Sequence, residues 1–459
     1  MAPVSVLDSD NRHPQTGDLT RGSVGGLLMR LTWPMLIGHF AVVAFNLTDT
    51  YFVSRLGTDE LAAMGFMFPV IMLLGSLTIG LGIGTSSVLS RAIGRGSGHR
   101  VQQLATHAIV LALAIVAIFA AAGLLTIRPL FSLLGARGNI LDLVDQYMTI
   151  WYAGVVFLVV PMVGNHAIRA TGDTIWPSAI MVLANVLNIV LDPILIFGLL
   201  GAPKMGIAGA AAATVIARAA ALVGSLAVLH FRKRLLTFER PSGRQLWQSW
   251  REILSVAGPA AGTIVFMPVA MGAITRIGAE FGKQTVAAIG AGSRVETFAI
   301  MAIVALAGVL IPVIGQNWGA GQLARVRRAQ HLAMGFAFLW GAAVAAGLFL
   351  AAGPLARLFS DDGEVIAELS AFLRIVPLGY GLMGVAILAC SGMNAMNRPL
   401  QATALSAIRL LGLYLPLAAA GAWLLGPEGI FAAIALANVL VGGAAVVWVR
   451  RLQRGPSPS

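Results

Sequence analysis

QQLATHAIVLALAIVAIFAAAGLLT, residues 102–126, decides the fold class. Beyond His107 it holds no ionisable side chain, and its length matches the roughly 20 apolar residues that cross the hydrocarbon core of a bilayer. A membrane β-barrel strand would alternate in segments of roughly 10 residues, and this run does not alternate. Residues 261–275 repeat the character. Outward from these two runs, further apolar segments fall at 31–54, 62–89, 146–168, 176–200, 206–230, 286–314, 330–352, 369–392, 400–423 and 429–449, with the seventh segment covering 252–276. The reading is an all-α membrane protein with twelve transmembrane helices. Composition agrees: 11% of residues are charged, against about 25% in a soluble domain, which excludes a soluble globular chain.

Charge orients the segments. An even number of spans puts both termini on one side, and 20 Lys and Arg fall on that side against 8 on the other, with Arg218, Arg294 and Arg409 inside helices. The positive-inside rule makes the terminus side cytoplasmic. The same bias accounts for the net charge of +12 without nucleic acid. The first 25 residues lack an apolar h-region, so no cleaved signal peptide is expected. The expected division is a cytoplasmic arm at 1–25, a six-helix bundle at 26–230, a basic cytoplasmic linker at 231–251, a second bundle at 252–450 and a tail at 451–459, in the inner (plasma) membrane.

The two bundles repeat in sequence. Trp33-Pro34 is matched by Gly258-Pro259, Arg55-Leu56-Gly57 by Arg276-Ile277-Gly278, and Ala62-Ala63-Met64-Gly65 by Ala287-Ala288-Ile289-Gly290. Gly94-Arg95-Gly96 is matched by Gly319-Ala320-Gly321, and Gly172 by Gly392. Six helices return the chain to its starting side, so these are parallel repeats about an axis along the membrane normal, with a central cleft between them. That is the architecture of a transporter.

Ionisable groups inside spans are costly and functional by default. Asp49, Asp192 and Glu296 qualify. Asn185, Asn188 and Asp192 form one polar stripe on the fifth segment at i, i+3 and i+7. Desolvation disfavours the charged carboxylate there, as a proton carrier requires. The repeat places Ala270 opposite Asp49 and Tyr414 opposite Asp192, so the acids occur in the first bundle alone and are not a shared packing feature. Glu296 is read either as an ion-pair partner of Arg294 or as a polar anchor of the second bundle. Pro34 is either a bend in the first helix or an ordinary first-turn proline. Phe45, Phe68, Met267, Met271 and Met301 are candidates to line the cleft, since adaptable apolar walls suit varied substrates.

Several motifs carry nothing. Gly80 to Gly84 reads as helix packing, and Gly278 to Lys283 lacks phosphate-loop spacing. The seven histidines show no metal-ligand spacing, and Cys390 is the single cysteine, which excludes internal disulfides. No nucleophile–base–acid set suggests an enzyme.

Asn46-Leu47-Thr48-Asp49-Thr50 with Val53-Ser54-Arg55-Leu56-Gly57, Arg169-Ala170-Thr171-Gly172-Asp173 with Pro177, and Arg294-Val295-Glu296 with Gly315-Gln316-Asn317-Trp318-Gly319-Ala320-Gly321 resemble the multidrug and toxic compound extrusion (MATE) family, in its DinF-like branch. The resemblance implies a secondary antiporter that exports lipophilic, often cationic drugs or metabolites in exchange for protons or sodium by alternating access. It implies a cation-coupling network of Asp49, Asn188 and Asp192, joined by Thr214 and by a tyrosine, Tyr147 in preference to Tyr152. A coupling sodium ion would sit at Asp49, Asn188 and Asp192. It also implies no cofactor beyond the ion gradient, small-molecule partners in the bilayer, a monomer and a bend at Pro34. The superfamily includes lipid-linked oligosaccharide flippases, the rival function. A diphosphate carrier should line its cleft with several arginines, and here the conspicuous interior charges are acids.

Overall fold

A computed structural model describes residues 17–452, with the Leu452 side chain excluded. Most of the expected N-terminal arm, residues 1–16, and the tail from 453 lie outside the described residues. The helices are α1 (Val24–Ser54), α2 (Thr58–Gly94), α3 (Gly98–Leu133), α4 (Asn139–Gly154), α5 (Val156–Ala170), α6 (Ile175–Phe197), α7 (Ile207–Ala227), α8 (Gly243–Gly278), α9 (Lys283–Ala299), α10 (Met301–Gly319), α11 (Leu323–Phe359), α12 (Gly363–Ile375), α13 (Tyr380–Ala395), α14 (Pro399–Ala407) and α15 (Leu415–Leu452).

Among the described residues fifteen α-helices make twelve crossings. α4 and α5 form one span bent by 45°. Pro161 lies beyond the bend and leaves the Phe157 carbonyl without its helical partner. α12 and α13 form the tenth span across a short 3-10 turn at Val376–Gly379, the repeat's counterpart of the first bend. α9 and α10 run on through Ile300 as the eighth. The apolar run from Pro399 to Arg451 is 53 residues long, about 80 Å as one rod and far more than one membrane thickness. Gly426, at φ 62° and ψ −143°, breaks it into two antiparallel spans. Gly421 and Gly429 then cross so closely that a Cβ on either would collide with the other's backbone.

One boundary differs from expectation. The linker ends at Ser242, because Ser242 and Gln245 form a capping box that starts α8 there. The first turns of α8 are a basic, polar overhang that packs on α3: Arg100 pairs with Glu252 at 3.0 Å, and Trp250 Nε1 donates to the His107 carbonyl at 3.0 Å. Pro34 also moves. It lies well inside α1, so the first-turn reading fails, and its ring removes the hydrogen bond that would satisfy the Arg30 carbonyl.

α1–α7 and α8–α15 form two lobes related by a two-fold axis. α1 packs on α6 as α8 packs on α14, and α3 packs on α5 as α11 packs on α13. Between lobes, α1 meets α10 and α2 meets α8, which are the same contact under the two-fold, while α2 meets α10 on the axis. These contacts gather at the end where α1 begins and α15 finishes. There Leu19, Val24, Leu28 and Met35 of the first lobe share one apolar core with Val309, Val313, Met393 and Val449 of the second. At the far end the cores are separate: Met67, Phe131 and Val144 belong to one, Ile274, Phe372 and Phe431 to the other. The lobes thus close on one side and diverge on the other.

Polar latches reinforce the closed end. Buried Arg91 at the end of α2 caps the C terminus of α13, donating to the Ala395 carbonyl at 3.1 Å, the Asn394 carbonyl at 3.4 Å and Asn397 Oδ1 at 3.2 Å. Its repeat partner is Gln316, which donates from Nε2 to the Ala170 carbonyl at the end of α5, at 2.8 Å. Gly94 lies against Gln316 and Gly319 against Arg91, each so tightly that a Cβ would fall on the facing carbonyl oxygen. Residues 17–22 strap across both lobes: Gly17 N–H donates to the Thr171 carbonyl at 2.7 Å, Leu19 N–H to Gln316 Oε1 at 3.1 Å, and Arg325 donates to the Gly22 carbonyl at 2.7 Å.

Candidate functional site

The first-lobe acids sit in the diverging half, on the α1–α6–α7 side. α6 packs along both α1 and α7, and its polar stripe faces them. Asp49 from α1 is 8% exposed, Asp192 from α6 is 0%, and Asn185, Asn188, Thr214 and Tyr147 are all buried around them. With its amide oriented to satisfy both neighbours, Asn188 donates to Asp192 Oδ2 at 2.8 Å and accepts from the hydroxyl and backbone N–H of Thr214, each at 3.1 Å. Tyr147 on α4 lies within electrostatic reach of both acids. Tyr152 does not join them: its ring packs against Phe119, Trp151 and the bare Cα of Gly123.

The cluster is under-satisfied. Asp49 Oδ1, Asp192 Oδ1 and both side-chain atoms of Asn185 are buried without hydrogen-bond partners. The two carboxylates feel each other, and no basic side chain pairs with either among the described residues. Two uncompensated negative charges in so dry a place are costly. The arrangement therefore calls for a cation, met by a proton on a carboxyl or by a sodium ion among Asp49, Asn188 and Asp192. Among the described residues no three His, Cys, Asp or Glu side chains cluster as a tighter metal site would require.

The remaining expectations divide. Phe45 is buried under the Arg218 guanidinium, 5.5 Å from ring centroid to cation, so this wall is a cation–π pair and not a bare apolar surface. Phe68 on α2 is exposed, and Met267 and Met271 are half-buried against the second-lobe core. Met301 is 5% exposed and packs inside, so it lines no open wall in this conformation. Glu296 is not the partner of Arg294. Residues two apart on a helix point to different faces, and Arg294 is exposed while Glu296 is buried. Glu296 faces Tyr380 from α13 and the charge of Arg409, which follows α14. The repeat signal could have found the Arg91–Gln316 latch pair, since the two positions are 225 apart like the glycines around them. Nothing local marks Arg409 as the partner of Glu296.

The MatE family model matches residues 34–194 and again 259–420, once for each lobe. The chain belongs to the MatE family. It is 37% identical over 95% of its length, and 96% of the relative's, to a protein of Shewanella oneidensis named FAD transporter. It is 26% identical, over 84% of each chain, to the probable multidrug resistance protein YoeA of Bacillus subtilis. The solved structure of the Vibrio cholerae MATE transporter VcmN in the bent form superposes with a TM-score of 0.90 at 33% identity, covering 94% of this chain and 97% of that one. MatE proteins are membrane transporters of small molecules and not enzymes, and the expected fold of two six-helix repeats around a cleft is the family's.

Proposed function

We propose that this chain is a proton-driven exporter of amphipathic organic molecules, working from the plasma membrane with both termini in the cytoplasm. One observation carries the reading: Asp49 and Asp192 share a dry cluster with no cation of their own, bridged through Asn188 to Thr214. Protonation removes the repulsion between the carboxylates of α1 and α6, and Pro34 gives α1 a point of weakness at which to repack. Substrate binding and protonation then favour different arrangements of the first lobe, which is the linkage antiport needs. The closed, latched end is the cytoplasmic one on the charge count, so the cleft faces outward.

The substrate is first sought among flavin nucleotides, because a relative 37% identical carries the name FAD transporter. Arginines 218 and 409 inside the bundle suit an anionic molecule. The second reading is the lipophilic cation, favoured by the Bacillus subtilis relative's name and by the acids of the first lobe. The flippase alternative would need the same arginines for its lipid-linked diphosphate. The test is uptake into inverted vesicles with FAD and tetraphenylphosphonium under separately imposed proton and sodium gradients. A proton gradient alone should drive one of them, and Asp49→Asn and Asp192→Asn should each abolish it. Transport driven by sodium alone would replace the proton with sodium at the same residues.

A further inference from the structure

A cavity of about 170 Å³ lies in the second lobe, lined by α8, α13, α14 and α15, with Ile83 of α2 on one side. At roughly 15 Å³ per water it has room for about ten, the size of a head group and not of a whole dinucleotide. Ile83 and Ile264 give it apolar walls, while Cys390, Ser391, Asn394 and Arg409 add polar groups to its lining. Arg409 stands on a π-helical turn at Ile408–Tyr414, a departure from the α-helix that is common at functional sites. Among the described residues it makes no hydrogen bond, and its Nη1 is fully buried without a partner. Glu296 supplies opposite charge but does not close on it as an ion pair. Asn394 Oδ1, also buried, is unpartnered too. A guanidinium has five donors in a fork that fits phosphate or carboxylate oxygens. A half-buried arginine with none of them hydrogen-bonded among the described residues, its Nη1 buried in the wall of a cavity, is an anion receptor in the making.

We infer that this cavity is a subsite for the anionic head, phosphate or carboxylate, of an amphipathic ligand, with Arg409 as the recognition residue. The inference rests on the exporter reading above and sharpens its substrate class. Ser391 lines the same cavity, its hydroxyl donating to the Ile387 carbonyl at 3.2 Å and still able to accept, and the apolar walls hold the first atoms of the ligand's body. The Asn394 carbonyl is also an acceptor for Arg91, so a filled subsite adjoins the latch at the closed end.

The chain carries its own reporter, because its single cysteine lines the cavity. The experiment measures the rate of Cys390 modification by N-ethylmaleimide in the full chain in detergent, with FAD binding followed in parallel by flavin fluorescence. FAD should slow modification at least tenfold, and riboflavin, which lacks the phosphates, should not. Arg409→Gln should abolish the protection, and Arg409→Lys, which keeps the charge, should retain part of it. A parallel arm in nanodiscs replaces phosphatidylcholine with phosphatidylglycerol. Protection there without FAD identifies a lipid as the source of the phosphate. Equal protection by riboflavin, undiminished protection in Arg409→Gln, or FAD binding without protection of Cys390 would overturn the subsite and leave FAD export standing. No flavin binding and no protection by phosphatidylglycerol would overturn both the subsite and the flavin reading.

Discussion

Replacing Arg91 with methionine should unlatch the closed end while keeping the apolar stem that fills the interface. Arg91 is 5% exposed and makes three bonds across the lobe boundary, at 3.1, 3.2 and 3.4 Å, to the end of α13. A hydrogen bond from a charged donor contributes about 1.5–3 kcal/mol net, and a cation at a helix C terminus about 0.3–1 kcal/mol. The three bonds share one guanidinium and two are long, so about 3 kcal/mol is a fair total, present only while the lobes touch at this end. At 1.4 kcal/mol per decade, its loss shifts the balance about 100-fold toward the opposite arrangement. The repeat partner gives an internal control. Gln316→Leu loses one neutral bond to Ala170 and one from Leu19, about 2 kcal/mol and roughly 30-fold. Spin labels at Ser97 and Arg328, in a Cys390→Ala background, report the separation of the lobes at this end by double electron–electron resonance. Arg91→Met should enlarge the long-distance population more than Gln316→Leu does. Distance distributions that are the same in all three chains would refute the latch.

Three further outcomes follow from the packing and the charge pattern. Gly94→Ala and Gly319→Ala each put a methyl on the carbonyl oxygen of the facing helix, so both should open the closed end in the same resonance experiment, while Gly258→Ala, which meets nothing and has ordinary helical backbone, should not. Asn188→Leu removes the link between Asp192 and Thr214, and should cost transport at least tenfold with near-normal membrane expression, whereas Thr214→Ser should be close to the parent in vesicle uptake. Single cysteines at Lys204 and Arg244 in the Cys390→Ala background should label from opposite faces of intact cells, Lys204 from outside; labelling of Arg244 from outside would reverse the orientation.

The span count and the repeat were legible because membrane spans announce themselves by length and because a duplicated fold repeats its glycines. Gly94 and Gly319 recur at a fixed offset for a reason now visible: each lies under the other lobe's helix on the two-fold axis. The first-lobe cluster was legible because helical spacing alone brings Asn185, Asn188 and Asp192 to one face, and because Asp49 is the one acid within the first apolar segment. Long-range partners were not. Glu296 looks at Arg409, more than a hundred residues away, and its near neighbour Arg294 misled because i, i+2 spacing turns a side chain to another face. The linker's end was hidden in a capping box that only the geometry of Ser242 and Gln245 reveals. Met301 and Phe45 showed that an apolar residue beside a cleft in sequence can be buried against its own lobe or covered by a cation.

Proton release on ligand binding tests the central claim most directly. Purified chain in weakly buffered detergent, with a pH-indicator dye, is mixed with saturating FAD and separately with tetraphenylphosphonium. If substrate and proton compete through Asp49 and Asp192, whichever ligand binds should release protons from the parent chain, and Asp49→Asn and Asp192→Asn should bind it with the release reduced or gone. Ligand binding to the parent with no proton release anywhere in the pH range of transport, or the same release from the Asp49→Asn, Asp192→Asn double variant, would contradict it.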